Sequence, residues 1–197
     1  MHQVQGSRRA PLEVRRPLVW LLATAAITIG VDQLTKAIVR SSLQLDEAVP
    51  VIPGIFDIAH VSNAGAAFGM LPGRRPLFIA VSVLMLTAVA LYWWRERPKT
   101  WPVVIPLGLV VGGAIGNLID RLFVGRVTDL LAFSFFSPVF NLADSAIFVG
   151  VTALIIWVLF GPQPDEASVE ELAVAAEEDP AQTPALPGSA PPEGRSQ

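Results

Sequence analysis

The chain has no cysteine, and this excludes disulfides, thiolate nucleophiles and cysteine-ligated metal sites. Histidine is almost as scarce. His2 and His60 are the only two, neither sits in an H-E-x-x-H pattern or a Cys/His cluster, and no metal or other cofactor is expected. Charged residues make up only 16% of the 197, with no basic patch interleaved with aromatics, so a nucleic-acid partner is not expected. Internal repeats are not apparent, which argues against a transporter assembled from inverted halves. From Gly161 onward aromatic residues are nearly absent too, and the Pro, Ala and acidic composition of 162–197 predicts a disordered tail. Within it "SVEELAVAAEE" reads as a solvated charge run rather than a helix.

What the chain has in abundance is apolar sequence. Hydrophobic residues reach 52% and the mean hydropathy is +0.53. The expected class is one small integral membrane domain, mainly α-helical. Four segments are long enough, at about 20 residues each, to cross a bilayer: 17–39, 75–94, 101–123 and 139–160. The first is too long for a usual signal-peptide core of about 7 to 15 residues and is read as a retained helix, despite the twin arginine in "SRRAPL". Residues 1–16 precede it as a cytoplasmic extension. Arg8, Arg9, Arg15 and Arg16 before the first span, with Arg95, Arg97 and Lys99 between the second and third, put both termini in the cytoplasm. Arg40, Arg74, Arg75 and Arg126 count against that orientation. Two loops, 40–74 and 124–138, then lie outside. "AVPVIPGIFDIAHVSNAGAAFG" in the first of them predicts a small extracytoplasmic β-sheet between helices 1 and 2, covering about residues 44–68.

Polar residues at the outer ends of the spans carry the functional signal. Asp32 and Lys36 stand four apart and neutralise one another on one helix face, with Lys36 expected to snorkel toward the interface. In "GGAIGNLIDR", Gly113, Asn117 and Arg121 recur every four residues as one stripe. Packing explains the glycines; Asn117 and Arg121 require a polar cleft. Asp120 points about 100° around the helix from Arg121. "FNLADS" sets Asn141 and Asp144 three apart on one face of the last helix, with Asp144 about 6 Å below its start. Asp129, in the loop before, can fold back over it. Two carboxylates meeting where water is scarce tend to share one proton, leaving one acid and one base able to activate water against an amide. Alternatively each aspartate merely caps a helix or pairs with Arg121 or Arg126.

Five stretches taken in order, "DQLTK" at 32–36, "NAGAAFG" at 63–69, "GGAIGNLIDR" at 112–121, "VTDL" at 127–130 and "FNLAD" at 140–144, resemble the lipoprotein signal peptidase (signal peptidase II) family. These are four-span membrane aspartyl proteases of bacteria, and the likeness covers about residues 17–161. It implies that Asp129 and Asp144 are the catalytic pair. It implies further that Asn63, Gly65, Asn117, Arg121 and Asn141 shape or contact the substrate site, and that Asp32 and Lys36 support the fold near it; Gly113 and Asp120 are also expected to give structural support. The implied substrate is a diacylglyceryl-modified prolipoprotein cut before its lipidated cysteine, by a monomer in the bacterial inner membrane with its active site near the outer surface. Leu130, where phenylalanine is common, and His60, where tyrosine is common, depart from the pattern. The sheet, with its bendable "NAGAAFG" end, is expected to cover the bond as a clamp. A proton-coupled transporter, a non-enzymatic scaffold and a serine/lysine protease using Lys36 with Ser62 or Ser145 are the rival readings.

Overall fold

The computed structural model describes residues 10–64 and 75–162. Helix α1 runs Ala10–Ser42, strands β1 and β2 run Ala48–Ile52 and Phe56–Asn63, and α2 runs Arg75–Glu96. Helix α3, Trp101–Ile119, passes into a π-helical turn, Asp120–Val124; strands β3, Val127–Phe133, and β4, Phe136–Phe140, lead into α4, Leu142–Phe160. All four helices are long and apolar enough to cross a membrane. The N-terminal residues 1–9, Gly65 with the rest of "NAGAAFG", and the acidic tail from residue 163 lie outside the described residues.

Helix α3 is the axis of the bundle. Along its span 61% of residues are buried, against 17%, 6% and 11% for the others, whose apolar side chains face outward. Glycine permits this close approach: a Cβ on Gly112 would lie 2.6 Å from the Thr28 Cβ of α1, and one on Gly116 would lie 2.6 Å from Asp32 Oδ2. Gly113 faces α4, where a Cβ would collide with the Ala143 carbonyl oxygen. The support expected of Gly113 is therefore steric. Gly113→Val is expected to cost about 1–3 kcal/mol through overpacking. Thermal unfolding in detergent measures this, and an unchanged midpoint would contradict the α3–α4 contact.

The sheet differs from the expectation. It has four antiparallel strands in the order β1-β2-β3-β4, so the segment between α3 and α4 supplies half of it. A lone two-stranded hairpin is marginal in water, and β2 gains a partner by pairing along β3, with Val61 opposite Asp129 and Asn63 opposite Val127. The start of the last span also moves. Residues 139 and 140 belong to β4, and α4 begins at Leu142. Asn141 ends the strand and caps the helix, its Oδ1 accepting the Asp144 backbone N–H at 3.0 Å. Asn141 is thus not on the helix face, and Asp144 lies in the first turn.

Candidate active site

The site is built on a buried ionic cluster. Lys36, Asp32 and Asp120 are all 0% exposed. The Lys36 ammonium lies 2.9 Å from Asp32 Oδ2 and 3.0 Å from Asp120 Oδ2. Lys36 therefore does not snorkel. An ammonium deep among helices is tolerable only because two carboxylates and an amide surround it. Arg40, one turn beyond Lys36, lies 3.4 Å from Asp120 Oδ1 and donates to Thr128 Oγ1 at 3.1 Å. Two cations thus meet two carboxylates, and the cluster is neutral. Arg40 counted against the orientation as a loop charge; its guanidinium is instead engaged inside the protein.

Each carboxylate of the cluster also positions backbone. Asp32 Oδ1 accepts the Ala143 N–H at 3.0 Å, capping α4 from α1. Asp120 Oδ2 accepts the Thr128 N–H at 3.1 Å and fixes the start of β3. The π-helical turn after Ile119, closed by the Gly125 N–H on Asp120 O at 2.9 Å, allows this. Gly125 ends that turn at φ 86°, a conformation suited to glycine. Gln33 adds bonds from its Nε2 to Asp32 Oδ2 and to Gly116 O, both at 3.1 Å.

Above the cluster, three asparagines hold the two aspartates. Lys36 Nζ donates to Asn117 Oδ1 at 3.2 Å, which turns the Asn117 amide so that its Nδ2 donates to Asp144 Oδ1 at 2.7 Å. Asn141 Nδ2 donates to Asp129 Oδ1 at 2.7 Å, and Asn63 Nδ2 to Asp129 Oδ2 at 2.8 Å. Asn63 reaches Asp129 as a diagonal cross-strand neighbour. Asn141 links the pair, since it binds the Asp129 carboxylate and the Asp144 backbone at once. Neither aspartate forms an ion pair among the described residues. The alternative of pairing with Arg121 or Arg126 is not what holds them. Arg121 instead donates to Asn117 O at 3.3 Å and lies 5.3 Å from the Phe78 ring centroid.

Burial pushes the Asp129 carboxyl up to about 6, against the lowering effect of the Asn63 and Asn141 amides; the Asp144 charge raises it further and Lys36 lowers it. Asp129 and Asp144 therefore feel one another electrostatically. Both line a cavity of about 650 Å³ whose remaining wall, apart from Asn63 and Ser145, is apolar and includes Phe133, Phe140, Phe148 and Val149. From Asp144 a second groove, of about 420 Å³, follows α4 past Ile147 and Val151 to Ile155. Ser145 lines the larger cavity, but its hydroxyl donates to Asn141 O at 3.0 Å, and Lys36 is occupied elsewhere. A serine/lysine dyad is not assembled. No group of three or more acidic or histidine side chains among the described residues is arranged to hold a metal ion.

Of the site residues expected from sequence, Asn63, Asn117, Asn141, Asp129 and Asp144 converge on this cavity or its rim. Asp32, Lys36 and Asp120 lie beneath it, and Gly65 lies outside the described residues. Gln33, Arg40 and Thr128 were missed. Arg40 could have been found, since Asp32, Lys36 and Arg40 continue one stripe at four-residue spacing.

The family model described as Signal peptidase (SPase) II matches residues 24–160. A lipoprotein signal peptidase of Desulfitobacterium hafniense is 42% identical over 142 residues, covering 72% of this chain and 93% of the relative. That of Pelotomaculum thermopropionicum is 41% identical over 153 residues, covering 78% of this chain and 99% of the relative. A bacterial membrane enzyme solved by the in meso method superimposes with a TM-score of 0.66 at 30% identity, over 72% of this chain and 94% of that one.

Proposed function

The chain belongs to the signal peptidase II family, and we propose that it is an aspartyl endopeptidase that removes the signal peptide from diacylglyceryl-modified prolipoproteins. The observation that carries this reading is the pair of carboxylates, buried Asp129 and half-buried Asp144, which line one largely apolar cavity and are held by asparagine amides. One ionised carboxylate takes a proton from water as the water oxygen attacks the carbonyl carbon of the scissile peptide. The other, protonated, supplies the proton that lets the leaving nitrogen depart. The asparagines serve as neutral donors. They hold the carboxylates in place without supplying a full positive charge that would strip the shared proton.

The apolar features supply the place for lipid. In this reading the signal helix and the acyl chains stay in hydrocarbon, and the groove running down α4 toward Ile155 receives a chain while the peptide bond rises to Asp144. Both termini are cytoplasmic and the dyad lies near the outer surface, as the basic residues Arg95, Arg97 and Lys99 at the opposite end of the bundle favour. The full chain in detergent should cleave a diacylglyceryl-modified precursor before its cysteine and leave the unmodified precursor intact. Equal cleavage of both would overturn the lipid-dependent reading, and substrate transport without cleavage would favour the transporter.

The dyad also sets a pH limb. The working form keeps one proton, so it is lost as pH rises and the pair becomes doubly ionised. With Asp129 near 6, kcat/KM is expected to fall about tenfold per unit above that value in the free protein. Substrate that displaces water adds to the burial already raising Asp129. The limb in kcat should therefore lie at higher pH than the limb in kcat/KM; coincident limbs would count against desolvation as the cause.

A further inference from the structure

All five tryptophans of the chain line two adjoining clefts at one end of the bundle. Trp20, Trp101 and Trp157 line the first, of about 570 Å³. Trp93 and Trp94 line the second, of about 460 Å³, and Pro17 and Lys99 belong to both. Trp157 lies about 20 Å further along α4 than Asp144, at 1.5 Å per residue, so neither cleft touches the dyad. A belt that merely marks the membrane boundary places indoles at both interfaces. Here the dyad end has phenylalanines instead, and the indoles are gathered at the other end beside a separate set of cations.

Those cations are Arg16 and Lys99 in the first cleft and Arg97 with Lys99 in the second. Among the described residues no acidic side chain lines either cleft, and none of the three cations forms an ion pair. Glu96, next to Arg97 in sequence, is exposed and lines neither cleft. Behind the charges the first cleft is apolar, backed by Val104, which is 1% exposed, and by Ile105 and Pro17. A zwitterionic headgroup would bring a cation against cations that have no ion-pair partner among the described residues, and a free anion would leave the apolar wall unused. We infer that the cleft between the inner ends of α1, α3 and α4 binds the phosphodiester of a negatively charged diacyl phospholipid, with Arg16 and Lys99 on the phosphate, indoles at the glycerol level and acyl chain against Pro17, Pro102 and Ile105.

The tryptophans make the test direct, because they report only on this end. The full chain is reconstituted in phosphatidylcholine vesicles in which a fixed fraction of lipid is acyl-brominated phosphatidylglycerol or, in parallel, acyl-brominated phosphatidylcholine. Each basic residue near an anionic surface is worth about a fivefold preference, so Arg16 and Lys99 together are expected to make the brominated phosphatidylglycerol quench as if enriched about 25-fold around the indoles. The Arg16→Gln/Lys99→Gln variant should lose that enrichment while cleaving precursor in detergent at the rate of the parent chain. Equal quenching by the two brominated lipids overturns the inference, as does enrichment that persists in the variant. Inorganic phosphate that abolishes the enrichment, where sodium chloride of equal ionic strength does not, would identify a free-anion site and overturn the lipid assignment.

Discussion

Asp129→Asn and Asp144→Asn are each expected to fold and to slow precursor cleavage by at least about 1,000-fold, the range lost when a positioned acid or base is removed. An amide has nearly the shape of a carboxyl group but can neither release nor accept the proton that water and leaving nitrogen exchange. Asp144→Asn is the cleaner variant. Its new amide can turn its oxygen toward Asn117 Nδ2 and keep the 2.7 Å bond. Asp129 accepts amide donors on both oxygens, so the amide introduced by Asp129→Asn must set its NH2 group against another, at a cost of about 1–3 kcal/mol for the unpaired donor. Removing a desolvated carboxylate offsets part of that above pH 6. Because the pair acts as one unit, the double variant should be no slower than the slower single one. Initial rates on lipidated precursor, beside thermal unfolding in the same detergent, decide the matter. Near-parental rates in either single variant would refute the dyad.

Lys36→Met should produce the largest loss of stability, about 3–5 kcal/mol, because it leaves Asp32 and Asp120 buried without their shared cation. In a chain of this size that corresponds to a fall in unfolding midpoint on the order of 10 °C. Activity should fall with it, since Lys36 also sets the Asn117 amide that holds Asp144. Adding Asp32→Asn and Asp120→Asn should recover part of the stability, because the uncompensated charges are then gone. A lysine acting as a catalytic base would behave differently: its loss would stop cleavage and leave the unfolding midpoint in place.

These outcomes depend on different kinds of information. The four spans follow from hydropathy, a property of neighbouring residues, and so do the polar residues crowded at one end of α1, α3 and α4. The Asp32–Lys36 pair follows from helical spacing alone, and the structure has it at 2.9 Å. Five short motifs in order are enough to assign the family, which the similarity over residues 24–160 supports independently. Where local reasoning failed, the residue's surroundings came from elsewhere in the chain. Lys36 looked able to reach the interface, yet Asn117, 81 residues away, and Asp120 hold it inside. Asn141 looked like a helix residue, yet β4 runs up to it and it caps α4.

Sequence alone therefore determined the membrane class, the number of spans, the family and which acids and amides are available for chemistry, because apolar length and side-chain type need no partner to be read. Only the tertiary structure decided that the sheet takes strands from both the α1–α2 and the α3–α4 connections, that Asp32 caps α4 through a backbone N–H 111 residues later, and that three asparagines rather than arginines hold the two aspartates. Such contacts depend on how closely glycine lets α3 approach α1 and α4, since a buried charge is stable only if that packing brings a partner within hydrogen-bonding distance.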